Sequence, residues 1–195
     1  MQGIVFKRMA VFMLGVLSCV LAQASDLSDK LQSSDHVLLM RHTLAPGVGD
    51  PANYTLADCK TQRNLSAEGR QQAVVVGDWL RQQGVKNADV HSSAWCRCKD
   101  TAQLLSFKGW QVEPTLASFF DEMHKAQAQN LRLQNFIAQK LKTKGNQPLV
   151  LVTHHVNIFE FMGENVSSGD LVLAKVDTQG KMLSYQVIPR PNAAR

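Results

Sequence analysis

Two short aliphatic runs, each with a histidine within two residues of its end, constrain the fold of this chain more than any other feature. The run His36–Met40 leads into Arg41 and His42, and the run Leu149–Thr153 leads into His154. Apolar runs of this length are typical of strands that are buried on both faces of a sheet. Because open α/β sheets bind ligands at the carboxyl ends of their strands, the sequence predicts that both histidines lie at one ligand-binding edge.

Helix-like and strand-like segments alternate along the rest of the chain. We predict helices over residues 66–83, 95–105, 126–142 and 156–162, strands over 88–92 and 111–114, and a final hairpin of 171–176 and 183–188. This alternation predicts an α/β fold, a three-layer α/β/α sandwich around a mainly parallel sheet with a C-terminal hairpin. With 195 residues and 45% hydrophobic content, the chain can bury one such core, which we place in a single domain at residues 25–195.

A long connection without helical or strand periodicity follows the first strand. Residues 43–64 include Pro46, Gly47 and Gly49 and show no sustained apolar pattern. Loops of this length inside a compact domain are often functional. We therefore expect this loop, together with the segment around Phe119, to decide the ligand specificity of the site.

Residues 1–24 have the pattern of a secretory signal peptide. Two basic residues precede an apolar stretch over 9–21, and residues 22–24 are Ala-Gln-Ala, a small-x-small cleavage signature. The apolar stretch is short for a membrane span. We expect cleavage after Ala24, a periplasmic mature protein, and no stable membrane insertion once the signal is removed. Lipid modification of Cys19 and a retained amino-terminal anchor helix are the alternatives.

The charge balance gives little information about partners. Loss of the signal-like segment removes Lys7 and Arg8, so the formal net charge falls from +5 to +3. A modest positive balance suits an anionic small molecule, but an ordinary soluble surface produces it as well. No basic stripe interleaved with aromatic residues occurs, so we expect no nucleic-acid partner.

Three cysteines, Cys59, Cys96 and Cys98, lie outside the signal-like segment. In an oxidising compartment, an odd number allows one disulfide and one thiol, or no disulfide. Cys96 and Cys98 are too close in sequence for an easy mutual bridge, so we expect Cys59 to pair with one of them. A Cys-x-Cys metal or redox site is the alternative, although no CxxC motif accompanies it.

Four short motifs follow one another in a characteristic order. They are Arg41-His42-Thr43, Leu65-Ser66-Ala67-Glu68-Gly69, Ser93 with Arg97 and Thr101-Ala102, and Val152-Thr153-His154. In this order and spacing the chain resembles the histidine phosphatase superfamily, the phosphoglycerate mutase-like and acid phosphatase group. That family carries Arg-His-Gly, Leu-Ser/Thr-x-x-Gly, Ser-x-x-x-Arg-x-x-x-Thr-Ala and a strand running into a second histidine. The resemblance extends from about Val37 to Asn157 and implies a phosphoglycerate mutase-like fold.

The resemblance also implies hydrolysis of a phosphate monoester through a phosphohistidine, without a metal or other cofactor. His42 is then the nucleophile, Arg41 and Arg97 bind the phosphoryl oxygens, and His154 donates a hydrogen bond to the phosphoryl group. Arginine suits this task because its guanidinium stays charged and presents a planar fork of donors. His154 and the adjacent His155 do not form an HxH or HExxH metal motif.

The general acid that protonates the leaving group is predicted on a loop before the last strand, as in the superfamily. Asp121 and Glu122 follow two phenylalanines whose burial of the loop would raise a carboxyl pKa by desolvation. We expect Glu122 to be the acid, with Asp121 as the first alternative. Glu113, Asp50 or the lack of any acid are the further alternatives.

Two departures from the family pattern bear on the substrate. Thr43 replaces the glycine of Arg-His-Gly, and His155 stands where many relatives carry a small residue. Either change would narrow the pocket or add a polar contact, so we expect Thr43 among the substrate-binding residues.

Together these features predict an exported, metal-independent phosphomonoesterase that acts on a small-molecule phosphate ester. Analogy with exported relatives points to an envelope phosphosugar such as heptose phosphate. A general acid phosphatase is the enzymatic alternative. A catalytically inactive phosphate-ligand binding protein, and a redox or metal-handling envelope protein built on the three cysteines, are the alternatives from other classes.

Overall fold

The structure, a computed structural model, describes residues 26–192. The helices in this part of the chain are α1 (26–32), α2 (Ala67–Gln82), α3 (Cys96–Leu104), α4 (Ala126–Thr143) and α5 (His155–Met162). The strands are β1 (His36–Arg41), β2 (Asp89–Ser92), β3 (Gln111–Val112), β4 (Leu149–Thr153), β5 (Leu171–Val176) and β6 (Met182–Ile188). Short 3-10 helices lie at Cys59–Thr61, Pro114–Leu116 and Met123–Lys125.

These strands form one sheet in the order β3-β2-β4-β1-β5-β6. The four strands β3, β2, β4 and β1 run parallel, whereas β5 is antiparallel to β1 and β6 is antiparallel to β5. In the central pair, Arg41 lies opposite Thr153. The residues that follow β1 and β4 therefore leave the sheet side by side at its carboxyl edge.

Alternate residues of the central strands pack on opposite faces of the sheet. Leu38 and Met40 of β1 join the core beneath α1, α2 and α3, whereas Val37 and Leu39 join the core beneath α4 and α5. This division follows from the two-residue period of a strand. Helices thus cover both faces, and the predicted three-layer α/β/α sandwich with a mainly parallel sheet and a C-terminal hairpin is confirmed.

The edge strand is shorter than the sequence-based expectation, and a short helix precedes the first strand. Residues 26–32 form about two helical turns, with Leu27 and Leu31 buried in the core. Strand β3 has only two residues, and both are exposed. The predicted signal peptide, residues 1–24, lies outside the described residues. Within 26–192, no helix combines the length and the apolar character needed to cross a membrane.

The start of α2 packs closely against the residues that follow β1. Ser66 caps the helix by accepting a hydrogen bond from the Gly69 amide, and its own amide donates to the Leu44 carbonyl at 3.1 Å. A Cβ atom on Gly69 would lie 2.0 Å from that same carbonyl oxygen. Only glycine allows this approach, so the Leu-Ser-x-x-Gly motif holds the chain just after His42 in place.

Candidate active site

The parallel pairing of β1 and β4 brings the two predicted histidines together. The His42 amide donates to the Thr153 carbonyl at 3.0 Å, and the ring centroids of His42 and His154 are 5.6 Å apart. Both side chains are almost fully buried. The predicted meeting of the two strand ends at one site is therefore observed.

His42 is held as a neutral imidazole, and only one of its ring nitrogens has a hydrogen-bond partner among the described residues. Its Nδ1 lies 2.8 Å from the backbone carbonyl oxygen of the next residue, Thr43. Because a carbonyl can only accept, Nδ1 carries the proton and Nε2 keeps its lone pair. Burial, together with the nearby Arg97 and Arg63, holds the pKa of His42 well below its ordinary value. An imidazole in this state can attack phosphorus through Nε2.

His154 is also neutral, but both of its ring nitrogens have protein partners. Nδ1 lies 3.4 Å from Nη2 of Arg97, which can only donate, so Nε2 carries the proton and donates to the Ser93 hydroxyl at 2.8 Å. Burial and the neighbouring His42 hold the pKa of His154 well below its ordinary value. Donation to a bound phosphoryl group would require His154 to exchange one of these partners.

Arg41 and Arg97 use their guanidinium groups in the same way. In each, Nη1 donates to a protein oxygen, which is the Val166 carbonyl for Arg41 (2.7 Å) and the Asp50 carboxylate for Arg97 (2.9 Å). In each, Nε is buried and has no hydrogen-bond partner in the described residues. Buried donors without partners are rare in folded proteins, so both side chains are prepared to bind an anion through Nε.

A third arginine, Arg63, completes the positive cluster and was not predicted. Its Nε donates to the Gly49 carbonyl at 2.7 Å and its Nη1 to the Ala45 carbonyl, which leaves Nη2 available. Burial, together with the neighbouring Arg97, lowers the pKa of Arg63. The signal for it in the sequence is its position just before Leu65-Ser66, at the end of the long loop.

These groups surround a cavity of about 210 Å³ at the carboxyl edge of the sheet. Arg41, His42, Arg97 and His154 line it, as the sequence predicted. Asp121 and His155 also line it, whereas Thr43 and Glu122 do not. Among the described residues, no group of three or more histidine, cysteine or acidic side chains could hold a metal ion.

The structure contradicts the reason for preferring Glu122 as the general acid. The Glu122 side chain is 51% exposed and forms an ion pair with Lys125. That lysine lowers the pKa of the Glu122 carboxyl, so the expected rise through burial is wrong. The adjacent carboxylate, Asp121, is the one that reaches the cavity.

The expectation of a substrate contact from Thr43 is also not met by its position. Thr43 is fully buried, its amide donates to the Thr101 hydroxyl, and the two hydroxyl oxygens are 3.2 Å apart. The hydroxyl therefore connects β1 to α3 behind the cavity. His155, half-buried at the start of α5, is the unusual residue that does face the cavity, and burial lowers its pKa.

The long loop is attached to the start of α3 by a disulfide and by hydrogen bonds. Of the two predicted pairings for Cys59, the structure contains the bond to Cys96, and Cys98 is a buried free thiol. The Gln62 side chain accepts a hydrogen bond from the Cys96 amide at 2.9 Å. The loop held by these contacts contains Asp50 and Arg63, which line the cavity.

A second loop closes the cavity from the side of β3. The Thr153 hydroxyl donates to the Leu116 carbonyl at 2.8 Å, and the side-chain amide of Asn157 donates to the Ala117 carbonyl at 2.9 Å. These bonds hold the segment that continues to Phe120 and Asp121. The Phe120 and His155 rings lie 5.7 Å apart at the mouth of the cavity.

A fold with paired strand-end histidines and an arginine-lined anion cavity is that of the phosphoglycerate mutase-like phosphatases. The family model of the histidine phosphatase superfamily, branch 1, matches residues 37–147, which include Arg41, His42 and Arg97. The chain belongs to this superfamily and is a phosphatase. No curated protein sequence matches it significantly.

Solved structures with the same fold support the architecture. The protein histidine phosphatase SixA complexed with tungstate is 18% identical, with a TM-score of 0.55 over 80% of this chain and 97% of that one. The phosphoserine phosphatase of Entamoeba histolytica, in complex with 3-phosphoglyceric acid, is 14% identical, with a TM-score of 0.56 over 77% and 95%. Mycobacterial glucosyl-3-phosphoglycerate phosphatase with inorganic phosphate is 14% identical, with a TM-score of 0.50 over 82% and 98%.

Proposed function

We propose that the protein is an exported phosphomonoesterase that works without a metal, through a phosphohistidine on His42. The observation that carries the proposal is the state of His42, a buried neutral imidazole whose Nδ1 proton is held by the Thr43 carbonyl and whose Nε2 is free. Arg41 and Arg97 supply unpartnered buried donors beside it. A nucleophile and a preorganised anion site are the two parts that phosphoryl transfer requires.

The reaction then has two in-line steps. In the first, the Nε2 lone pair of His42 forms a bond to phosphorus while the bond to the leaving oxygen breaks, and the general acid gives that oxygen a proton. In the second, water attacks phosphorus, the P–N bond breaks, and its electron pair returns to Nε2. The acid, now a carboxylate, takes the proton from the attacking water. The guanidinium groups stabilise the charge on the phosphoryl oxygens throughout.

Asp121 is our candidate for the general acid. It lies on the same loop as Glu122, and of the two carboxylates it is the one that lines the cavity. Geometry has priority over acidity for such an assignment, because the acid must reach the leaving oxygen directly or through one water.

The mouth of the cavity favours an uncharged, hydroxylated leaving group such as a sugar. Phe120 and the neutral His155 offer ring faces, and the side chains of Ser118 and Asp121 offer hydrogen-bonding groups for hydroxyls. As the general acid, Asp121 holds its proton when the reaction begins, so it can also donate a hydrogen bond to a hydroxyl of the leaving group. This supports a phosphosugar as the substrate class.

Export is supported by two independent features. Residues 1–24 have the signal-peptide pattern. The Cys59–Cys96 disulfide suits an oxidising compartment, where such bonds persist, so we place the mature protein in the periplasm.

Rapid-quench experiments with radiolabelled substrate test the proposed function. The purified protein should hydrolyse sugar phosphates in the presence of a chelator and accumulate an acid-labile, base-stable phosphoenzyme on His42. Inorganic phosphate binding without turnover of any ester would instead support the inactive binding protein.

A further inference from the structure

Asp50 is a buried carboxylate whose lone pairs are directed to the phosphate-binding machinery. Its side chain is only 4% exposed. One oxygen accepts from the Arg63 amide at 2.9 Å, the other from Nε1 of Trp95 at 3.0 Å, and both accept from Nη1 of Arg97 at 2.9 and 3.1 Å. No other carboxylate of the described residues hydrogen-bonds a cavity-lining arginine side chain.

These contacts orient the guanidinium of Arg97. Asp50 binds Nη1, which also makes a long contact of 3.4 Å to the Arg63 carbonyl. Among the described residues Nε has no partner, and Nη2 makes only a long contact of 3.4 Å to His154. Nε and Nη2 form the side of a guanidinium that binds an oxyanion with two parallel hydrogen bonds. Asp50 thus holds the opposite corner of Arg97 and leaves this fork facing the anion site.

A counter-charge is needed there because the cavity is lined by several guanidinium groups. Arg41, Arg63 and Arg97 all line the same small cavity and repel one another before a ligand arrives. Without a carboxylate partner, the buried Arg97 guanidinium would keep an uncompensated charge, which is strongly destabilising. Asp50 compensates this charge. Because both of its oxygens already accept hydrogen bonds, Asp50 is unsuited to donate a proton.

We propose that Asp50 is a positioning residue that acts on phosphoryl transfer through Arg97, by holding its Nε–Nη2 fork toward the phosphoryl oxygens. The inference rests on the proposed phosphatase function of the same site. It also explains why the long loop is bonded to α3 by Cys59–Cys96, since that bond joins the Asp50 loop to the helix that carries Arg97.

A double-mutant cycle tests whether Asp50 acts through Arg97. The variants are D50N, R97K and D50N/R97K, with D58N as the control, because Asp58 lies on the same loop, is exposed and caps only the short helix at Cys59–Thr61. The D50N substitution keeps the size of the side chain but replaces one acceptor oxygen with an amide NH₂ group, which cannot accept from Trp95 or Arg63. The R97K substitution keeps the charge but lacks the fork.

We expect D50N to lower kcat/KM for a phosphate ester about a hundredfold, as loss of an aligned anion-stabilising donor does, and D58N to have no effect. In the R97K background, D50N should lower kcat/KM less than about threefold, because lysine has no guanidinium for Asp50 to orient. Equal losses in both backgrounds, or near-wild-type activity of D50N, would overturn the proposal. If D50N does not fold, D50E, which moves the carboxylate by one methylene, takes its place in the cycle.

Inorganic phosphate binding, measured by calorimetry, separates this proposal from the proposed function. Positioning predicts that D50N binds phosphate about tenfold more weakly than the wild type. If Asp50 contributed only its negative charge, D50N would bind phosphate more tightly, because removal of that charge strengthens anion binding. Tighter binding by D50N would therefore refute the proposal that Asp50 positions Arg97. A wild-type protein that hydrolyses no ester would refute the phosphatase proposal, while the phosphate affinities would still decide the role of Asp50.

Discussion

The two strand ends and the two loops of the active site contribute to it in different ways. His42 and His154 follow strands that are hydrogen-bonded to each other, so the register of β1 and β4 sets their distance. Asp50 and Asp121 lie on loops that reach the cavity only through contacts far away in sequence, such as those of Arg97 and Asn157. The sequence predicted the strand-end groups directly, whereas it offered the two loop carboxylates only as alternatives for the general acid.

The difference reflects what holds each group. A residue at the end of a central strand is positioned by a backbone ladder that every residue of the strand maintains. A loop residue is positioned by a few side-chain contacts, so neighbouring residues can have opposite surroundings. Asp121 and Glu122 show this, because one lines the cavity and the other is exposed beside Lys125.

The largest effect is expected at a strand end. H42A should lower kcat by about four orders of magnitude or more, because no other group can form the covalent intermediate. Steady-state kinetics and phosphoenzyme trapping provide the measurement. H124A is the matched control, since His124 is exposed and outside the cavity. Substantial activity in H42A would show that the strand-end histidine is not the nucleophile.

The neighbouring loop carboxylates provide the second test. D121N should slow hydrolysis of esters with poor leaving groups about 10²- to 10³-fold and spare an activated aryl phosphate, which needs no proton. E122Q should leave both reactions unchanged, because Glu122 does not line the cavity. The measurement is the ratio of the rates for the poor and the activated leaving group in each variant. If E122Q lowered this ratio and D121N did not, Glu122 would be the general acid.

The third prediction concerns the covalent attachment of the long loop. Replacing Cys59 and Cys96 by serine should reduce the free energy of unfolding by about 3 to 4 kcal/mol, because the bond restricts the unfolded chain. Denaturant unfolding measures the loss. A reductant should destabilise the wild type similarly and leave the double variant unaffected. Equal stability of the two proteins would mean that hydrogen bonds alone hold the loop.

The smallest effect is expected from protonation of the buried strand-end histidines. Burial keeps the pKa of His42 and of His154 well below 6.5, so below that pH the unfolded chain binds more protons than the folded protein. Their contribution to stability is therefore complete above pH 6.5 and is lost as the pH falls, by at most about 1.4 kcal/mol per pH unit for each histidine. Unfolding free energies at about pH 7 and about pH 5.5 measure it.

Variants at two histidines identify the source of this pH dependence. H42N should flatten the fall in stability between these two pH values, because it removes one buried titrating group. H154N should flatten the fall in the same way, because burial also lowers the pKa of His154. Parallel slopes for H42N and wild type would show that His42 titrates normally in the folded protein.

The sequence predicted the layers, the sheet type and the convergence of His42, Arg97 and His154, because each rests on local periodicity and on the common edge of parallel strands. It limited the disulfide to two pairings, and the structure contains Cys59–Cys96. It did not single out Arg63, and its expectation that Glu122 is buried is wrong, since no local pattern tells which side of a loop faces a cavity.

By itself, then, the amino-acid sequence determined the strands, the helices and the histidines at the strand ends, because the short-range alternation of apolar and polar residues specifies which faces are buried. The tertiary structure alone decided that Asp50 pairs with Arg97, that Asp121 reaches the cavity and that Thr43 turns away from it. Those outcomes depend on contacts between residues distant in the chain, and the folded packing alone brings such residues together.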